Sequence, residues 1–480
     1  MNKNPKKYGG EVFTPPSMVC TMLDIMWYTA QNSAILKQHI IDNSCGDGAF
    51  LVEIVKRYVT CYLKDGTADG LEDALGTYIH GIEINPENYD RCIENLDKTL
   101  EGLGLNIHPI WDVRHGNALE IDVYDGKMDY VVGNPPYVRV HNIKGVDDEL
   151  YESIVSLDFC KKGSTDLYLA FYDIGFRMLS DMGMLCYISP SGWLKGPAGK
   201  AMRQYVKERR NLISVFDFGK ADIFEGKSAY TSVFKFRKDG GLGTIYYDNG
   251  TDQARLAYDD VFIGDEIYLG SDKEVSVLKE VSSFEGEKKV RVKNGLATLL
   301  DSFFIYPDSK FNEMVEVPIV KASTGEEKYC FFPHHTDGTA MPLYEIKEYS
   351  PSANEYVMEN EERLKNRNFD GLWYTIGRKQ GLADVWRRKL AVNNIIRDYN
   401  DLKFASAPPG MAVYSGYYIL PAAKDRNIRT TLTLFADVMR VLRSEEFNAY
   451  IRALKKYKSG GYYTFTAKHL EKFINWKLGK

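Results

Sequence analysis

The sequence predicts an α/β protein whose first half is an open, doubly wound, largely parallel sheet and whose second half is a separate unit. Three observations carry this. Short β-branched runs alternate with stretches of helical periodicity as far as about residue 238. His39-Ile40-Ile41 runs into the Gly-rich turn Asp42-Asn43-Ser44-Cys45-Gly46-Asp47-Gly48 and then into an apolar helix, the opening unit of such sheets. Met128-Asp129-Tyr130-Val131-Val132-Gly133 stops at Asn134-Pro135-Pro136-Tyr137, as a buried strand does at its carboxyl end.

In chain order, Ser17 stands before Met18, Val19, Met22, Leu23, Ile25 and Met26 and reads as the N-cap of an amphipathic helix to about Tyr28. The first strand ends near Asp42, and Leu51, Val52, Ile54, Val55 and Tyr58 mark the helix after it. Lys64 to Asp73 is polar and reads as a loop. The second strand, Tyr78 to Asn85, carries Glu83 at its end, and Pro86 starts a helix to about Leu100. The third strand is expected near Ile107 to Val113, with Asn117 beyond it. Val138 to Lys162 reads as a long excursion beside the site. A helix over Asp166 to Leu179 carries the aromatic stripe Tyr168, Phe171, Tyr172 and Phe176. Strands at Met184–Ile188, Leu212–Phe218 and Thr231–Phe236, with a helix over Lys200–Arg210, make a total of seven strands. Asp239-Gly240-Gly241-Leu242-Gly243 is the best boundary, giving units at 1–240 and 241–480.

The strand ends carry the chemistry. Two prolines remove N–H donors and fix φ, so the turn after the fourth strand presents acceptors, the Asn134 side-chain oxygen and the Pro135 carbonyl. Two rigid acceptors suit an exocyclic amino group, and Tyr137 offers a face on which a planar base can stack. Gly46 and Gly48 let the backbone approach a ligand at a helix N-terminus. Leu51 stands where a dinucleotide fingerprint needs its third glycine, which weakens an NAD reading, and no Gly-Lys-Ser/Thr marks a P-loop. Glu83 is placed to accept ribose hydroxyls and Asn117 to bond an adenine edge. Phe224 is an apolar ring in a polar, Gly-containing loop.

Composition narrows the class. A hydrophobic fraction of 44% and a charged fraction of 26% over 480 residues describe a globular protein of two domains. The amino terminus lacks an apolar run after its lysines and no segment reaches membrane-spanning length, so a cytoplasmic protein without membrane attachment is expected. Seven scattered cysteines without a Cys-x-x-Cys pair support neither a disulfide framework nor a structural metal. The net charge of −5 is uneven: residues 361–480 hold 23 Lys+Arg against 11 Asp+Glu, a net of +12, against −17 for the rest. An acidic front and basic back suit a chain that grips a polyanion with one part. That part interleaves cations with aromatics at Trp373-Tyr374, Arg378-Lys379-Gln380, Trp386-Arg387-Arg388-Lys389 and Tyr462-Tyr463. Glu345-Ile346-Lys347 has the form of a nuclease carboxylate-lysine pair but lacks an upstream partner.

Phe13-Thr14-Pro15-Pro16, Asp42 to Phe50, Glu83, Asn134-Pro135-Pro136-Tyr137 and Phe224, in that order and followed by a basic region, resemble the gamma-class DNA adenine-N6 methyltransferases, the TaqI-like group. The resemblance implies a Rossmann-like, seven-stranded, S-adenosylmethionine-dependent methyltransferase domain and a C-terminal mixed α/β target-recognition domain. It implies that Thr14, Asp42, Ser44, Gly46, Gly48, Glu83, Asn117, Pro136 and Phe171 hold the donor. Asn134 and Pro135 would receive N6 of an adenine flipped from the duplex, between Tyr137 and Phe224. Arg378, Lys379, Gln380, Arg387, Arg388, Tyr462 and Tyr463 would meet double-stranded DNA. The implied setting is a monomer paired in function, not in a complex, with a restriction endonuclease. Here Asn117 stands where Asp is common in the family, and Asn43-Ser44 where Pro-Ala is common. Cytosine N4, RNA or protein glutamine as the acceptor, a non-catalytic DNA-specificity subunit and a fused restriction enzyme are the competing readings.

Overall fold

In the first unit, β-branched and aromatic segments assemble into one sheet of nine strands. They are β1 (Ile40–Asp42), β2 (Ile79–Glu83), β3 (Asp112–His115), β4 (Met128–Gly133), β5 (Leu179–Pro190), β6 (Leu212–Asp217), β7 (Thr231–Arg237), β8 (Thr244–Asp248) and β9 (Gln253–Ala257). Their order is β3-β2-β1-β4-β5-β7-β6-β8-β9. The first five are mutually parallel, β7 is antiparallel to both β5 and β6, β8 runs parallel to β6, and β9 is antiparallel to β8. The computed structural model describes residues 14–161, 165–218, 231–368, 371–378, 381–423, 427–458 and 461–480.

Helices on both faces explain why the central strands read as unbroken apolar runs. Along β4, Val131 packs into one core with Leu169, Tyr172 and Leu185, while Tyr130 and Val132 pack into the other with Met22, Leu51 and Ile54. The helices that cover the sheet are α1 (Pro16–Ile25), α2 (Ala49–Tyr62), α3 (Leu71–Tyr78), α4 (Pro86–Gly102), α5 (Asp148–Ser156), α6 (Leu167–Met178) and α7 (Lys200–Arg209).

Several expected boundaries move. Ser17 is not the cap of α1: Pro15 holds the cap position and Pro16 the first turn, their fixed φ setting the helix going two residues earlier. The third strand lies at Asp112–His115, overlapping the expected Ile107 to Val113 only at its end, and Ile110 is 92% exposed. Helix α3 occupies part of the expected loop, and α5 lies inside the 138–162 excursion. The sheet has nine strands, not seven, because the chain past the Gly-rich stretch returns as β8 beside β6 and β9 beside β8. The division therefore falls between Val275 and Ser276 and not at residue 240.

The second unit, Ser276–Lys480, is mixed α/β. An antiparallel sheet orders Val290–Asn294, Tyr417–Pro421, Lys389–Val392 and Phe404–Ala407. A second orders Ile305–Tyr306, Glu327–Phe331, Glu316–Lys321 and Ala412–Tyr414, and a small third one joins Ile395–Ile396 to Tyr462–Thr464 and Tyr457–Lys458. Asn475, from the helix Ala467–Gly479, clamps Val290 by accepting its N–H and donating to its carbonyl.

Candidate active site

The winding of the sheet reverses between β1 and β4, and open α/β sheets place ligands at the carboxyl ends of such a pair. Asp42 ends β1, is 1% exposed, and accepts the Ser44 N–H on Oδ1 at 3.0 Å. Gly133 ends β4 so close to it that a Cβ there would stand 2.7 Å from Asp42 Oδ1. Glycine thus lets the two strand ends meet. Burial pushes the Asp42 carboxyl up to about 7; the Ser44 N–H opposes this and the Glu83 carboxylate adds to it.

The turn after β1 is fastened to the end of β2. The Cys45 N–H donates to the Ile82 carbonyl at 3.0 Å and the Gly46 N–H to Glu83 Oε2 at 2.8 Å, while Glu83 Oε1 accepts the Asn85 N–H at 2.7 Å. Gly46 and Gly48 have φ of +57° and +92°, the left-handed region that glycine fills without strain. Gly48 then caps α2, directing that helix's first N–H groups toward the turn.

On the other side of the switch point, Asn134 Nδ2 donates to Thr14 Oγ1 at 3.2 Å, and Ser44 Oγ reaches the Asn134 carbonyl at 3.5 Å. Pro135 is buried and Pro136 half-buried. Tyr137 donates its hydroxyl to the Ile188 carbonyl at 3.1 Å and meets Tyr168 edge-on at 6.4 Å between centroids; burial raises its phenol. The structure therefore brings Thr14, Asp42, Ser44, Gly46, Glu83 and the Asn134 turn into one cluster.

Two further expected donor residues border this cluster: the Gly116 N–H, next to Asn117, donates to the Glu83 carbonyl at 2.9 Å, and the Tyr187 hydroxyl joins Asn43 Oδ1 at 2.8 Å to the Phe171 carbonyl at 3.5 Å. Asn117 follows β3, but its Oδ1 accepts the Leu119 N–H at 3.1 Å and its Nδ2 donates to Glu120 at 2.8 Å, a local turn. Phe171 lies in α6, 8% exposed within the aromatic core. Phe224 lies outside the described residues, as do Lys379 and Gln380.

In the second unit Arg378 is exposed, and Arg388 half-buried. Arg387 is turned inward, donating to the Pro421 carbonyl at 3.1 Å and facing Asp384 at 3.5 Å. Tyr462 is covered by a cation that sequence reasoning missed: the Arg397 guanidinium lies 4.6 Å from its ring centroid and donates to its hydroxyl at 2.8 Å. Arg397 and Tyr462 are 65 positions apart, and only strand pairing joins them. Tyr463 pairs with Ile396 across the small sheet.

Residues 49–224 match the family described as Eco57I restriction-modification methylase. The Type II methyltransferase M.BstVI of Geobacillus stearothermophilus is 25% identical over 75% of this chain and 72% of its own length. The Type II restriction enzyme and methyltransferase RM.Eco57I of Escherichia coli is 22% identical over 85% of this chain and 52% of its own. The Type II methyltransferase M.PaeR7I of Pseudomonas aeruginosa is 27% identical over 52% and 43%. The chain thus spans about half the length of the second relative and less of the third. Among solved structures, the Type IIL restriction-modification enzyme MmeI in complex with DNA aligns over 94% of this chain and 65% of its own, with a TM-score of 0.54 and 13% identity, a likeness of fold.

A methylase domain on this sheet takes S-adenosylmethionine as its cofactor, and the site has the chemistry for it. A Cβ added at Gly46 would meet nothing within 4 Å, so the turn faces open space. Asp42 supplies a buried carboxyl for a cationic ligand and Glu83 an acceptor pair at the neighbouring strand end. No helix among the described residues is long and apolar enough to cross a membrane.

Proposed function

We propose that this chain is a site-specific DNA methyltransferase that modifies N6 of an adenine flipped out of duplex DNA, protecting that DNA from a separate restriction endonuclease. The observation that carries the reading is the junction of β1 and β4, where the Asn134-Pro135 turn abuts the Asp42 to Gly48 turn through the Gly133 and Ser44 contacts. Acceptors for an amine and a cradle for a cationic donor lie side by side.

S-adenosylmethionine, when bound, supplies an electrophilic methyl on a sulfonium. The chain's own residues do the rest. Asp42, Ser44 and the Gly46 backbone would hold the amino-acid end, and Glu83 the ribose hydroxyls. Asn134 Oδ1 and the Pro135 carbonyl would accept both hydrogens of the target amine and so favour the charged nitrogen that forms as the methyl arrives. Tyr137 and Phe224 would stack on the base, at about 1 to 3 kcal/mol each, against an extrusion cost of a few kcal/mol. The second unit would read DNA, with Arg378, Arg388, Arg397 and Tyr462 offering donors and stacking faces. The relatives named as Type II methyltransferases, and the DNA complex with a similar fold, support this substrate.

Cytosine N4 is also an exocyclic amine and is the second reading, since the acceptor pair would serve it equally. The test is incubation with labelled donor and duplexes of varied sequence, followed by identification of the modified nucleoside. N6-methyladenine is expected, and label in cytosine or polypeptide overturns the assignment. Acceptors that act in the transition state govern turnover more than binding. Asn134→Ala should therefore abolish methylation while calorimetry still registers donor binding; equal loss of both would make Asn134 structural.

A further inference from the structure

We propose that Thr14 is a positioning residue for Asn134, holding the amide so that its oxygen faces the target amine. The proposal rests on the function put forward above. An asparagine amide turned by 180° about χ2 exchanges an acceptor for two donors with little change of shape. Only the oxygen serves a target NH2; the reversed amide sets N–H against N–H.

In the structure Asn134 Nδ2 donates to Thr14 Oγ1 at 3.2 Å, and the planar amide sends Oδ1 along the other branch. With the target in place the bonds form one chain: target amine to Oδ1, Nδ2 to Oγ1. Each link polarises the next and makes the Asn134 oxygen a stronger acceptor as charge builds on the amine.

Thr14 can serve as a fixed reference because the backbone around it is stiff. It is 7% exposed and immediately precedes Pro15 and Pro16, which restrict φ at two positions and confine Thr14 itself to extended conformations. Helix α1, which follows, is pinned along its length. Arg57 donates to Asp24 Oδ1 at 2.6 Å and to the Cys20 carbonyl at 3.2 Å, and Lys235 Nζ donates to the Ile25 carbonyl at 2.6 Å. The resemblance makes Thr14 a contact of the donor. The structure gives its hydroxyl to Asn134 instead, and the two roles differ in what a substitution does.

Thr14→Val keeps the side-chain shape and removes the hydroxyl, whereas Thr14→Ser keeps the hydroxyl. Turnover, KM for duplex DNA and the affinity for S-adenosylhomocysteine by titration calorimetry are measured for both. Losing one hydrogen bond that orients the reacting acceptor should lower kcat by about tenfold in Thr14→Val, with product affinity and KM unchanged. Thr14→Ser should recover most of the loss. Undiminished kcat in Thr14→Val, a fall in product affinity in step with kcat, or a Thr14→Ser as impaired as Thr14→Val each overturns the proposal. If Thr14→Val fails to fold by thermal unfolding, Thr14→Ala carries the same comparison. Asn134→Ala run beside them separates the two readings: activity surviving there sinks the function itself, and activity surviving only in Thr14→Val sinks this inference alone.

Discussion

Burial holds the Asp42 carboxyl at about 7 against 3.8 in the unfolded chain, so it keeps a proton at pH values where an exposed aspartate has lost it. Between those values the folded, donor-free protein binds a proton that the unfolded chain has released. This group's contribution to stability is therefore full below 3.8 and is lost as pH rises toward 7. A cationic ligand beside Asp42 favours the carboxylate and expels that proton. Donor binding should tighten as pH is raised through 7 and release a proton, counted by calorimetry in two buffers of different ionisation enthalpy. Asp42→Asn should abolish the release; an isotherm indifferent to pH would mean that the donor's charge lies elsewhere.

At the same scale, Asn134, Asp42 and Glu83 could be read from the sequence because each sits where an apolar run stops, and strand ends are what such runs locate. The Thr14 to Asn134 bond could not, because it spans 120 positions that only the folded sheet brings together. Asn117 was legible as a turn residue, but not the Leu119 and Glu120 bonds that occupy its side chain.

Elements followed the apolar pattern where both faces are buried and departed from it where one is not. β4 was found within its full length because Tyr130, Val131 and Val132 are all 3% exposed or less. β3, an edge strand with Val113 as its one buried residue, gave no such run. β8 and β9 were missed because a Gly-rich stretch reads as a boundary, whereas here Gly240 and Gly241, at φ of +64° and +72°, turn the chain back to the same sheet. Ile245 and Tyr247 of β8 are fully buried, and Tyr247 donates to Asp217 of β6 at 3.0 Å. A fragment ending at residue 240 would leave β6 as an open apolar edge, which templates association. It should aggregate on size-exclusion chromatography where one ending at Val275 elutes as a discrete species. A well-behaved shorter fragment would show β8 and β9 to be dispensable.

For the whole molecule, the charge asymmetry sets residues 361–480 apart from the rest of the chain, yet it overstates the surface available to a polyanion. Arg367 donates to the carbonyls of Leu364, Thr298, Trp373 and Thr375, and Lys389, 1% exposed, to those of Asp384, Val385 and Arg387. These cations satisfy loops, which composition cannot distinguish from a binding face. If the exposed cations of this region meet six or more phosphates, duplex affinity should fall by roughly a thousandfold or more between about 50 and 200 mM salt. A flat response in filter binding would remove the basic region from the interface.

The place of β7 between β5 and β6 bears on how the polypeptide comes off the ribosome. Among the described residues β6 pairs with β7 and β8 alone, both made after it. While residues 212–217 emerge, no neighbour yet exists for them, and an apolar strand must wait until position 231 and beyond has been translated. Synthesis is vectorial but this edge of the sheet is not, so the nascent chain carries an unmated strand for the time it takes to add its own wedge.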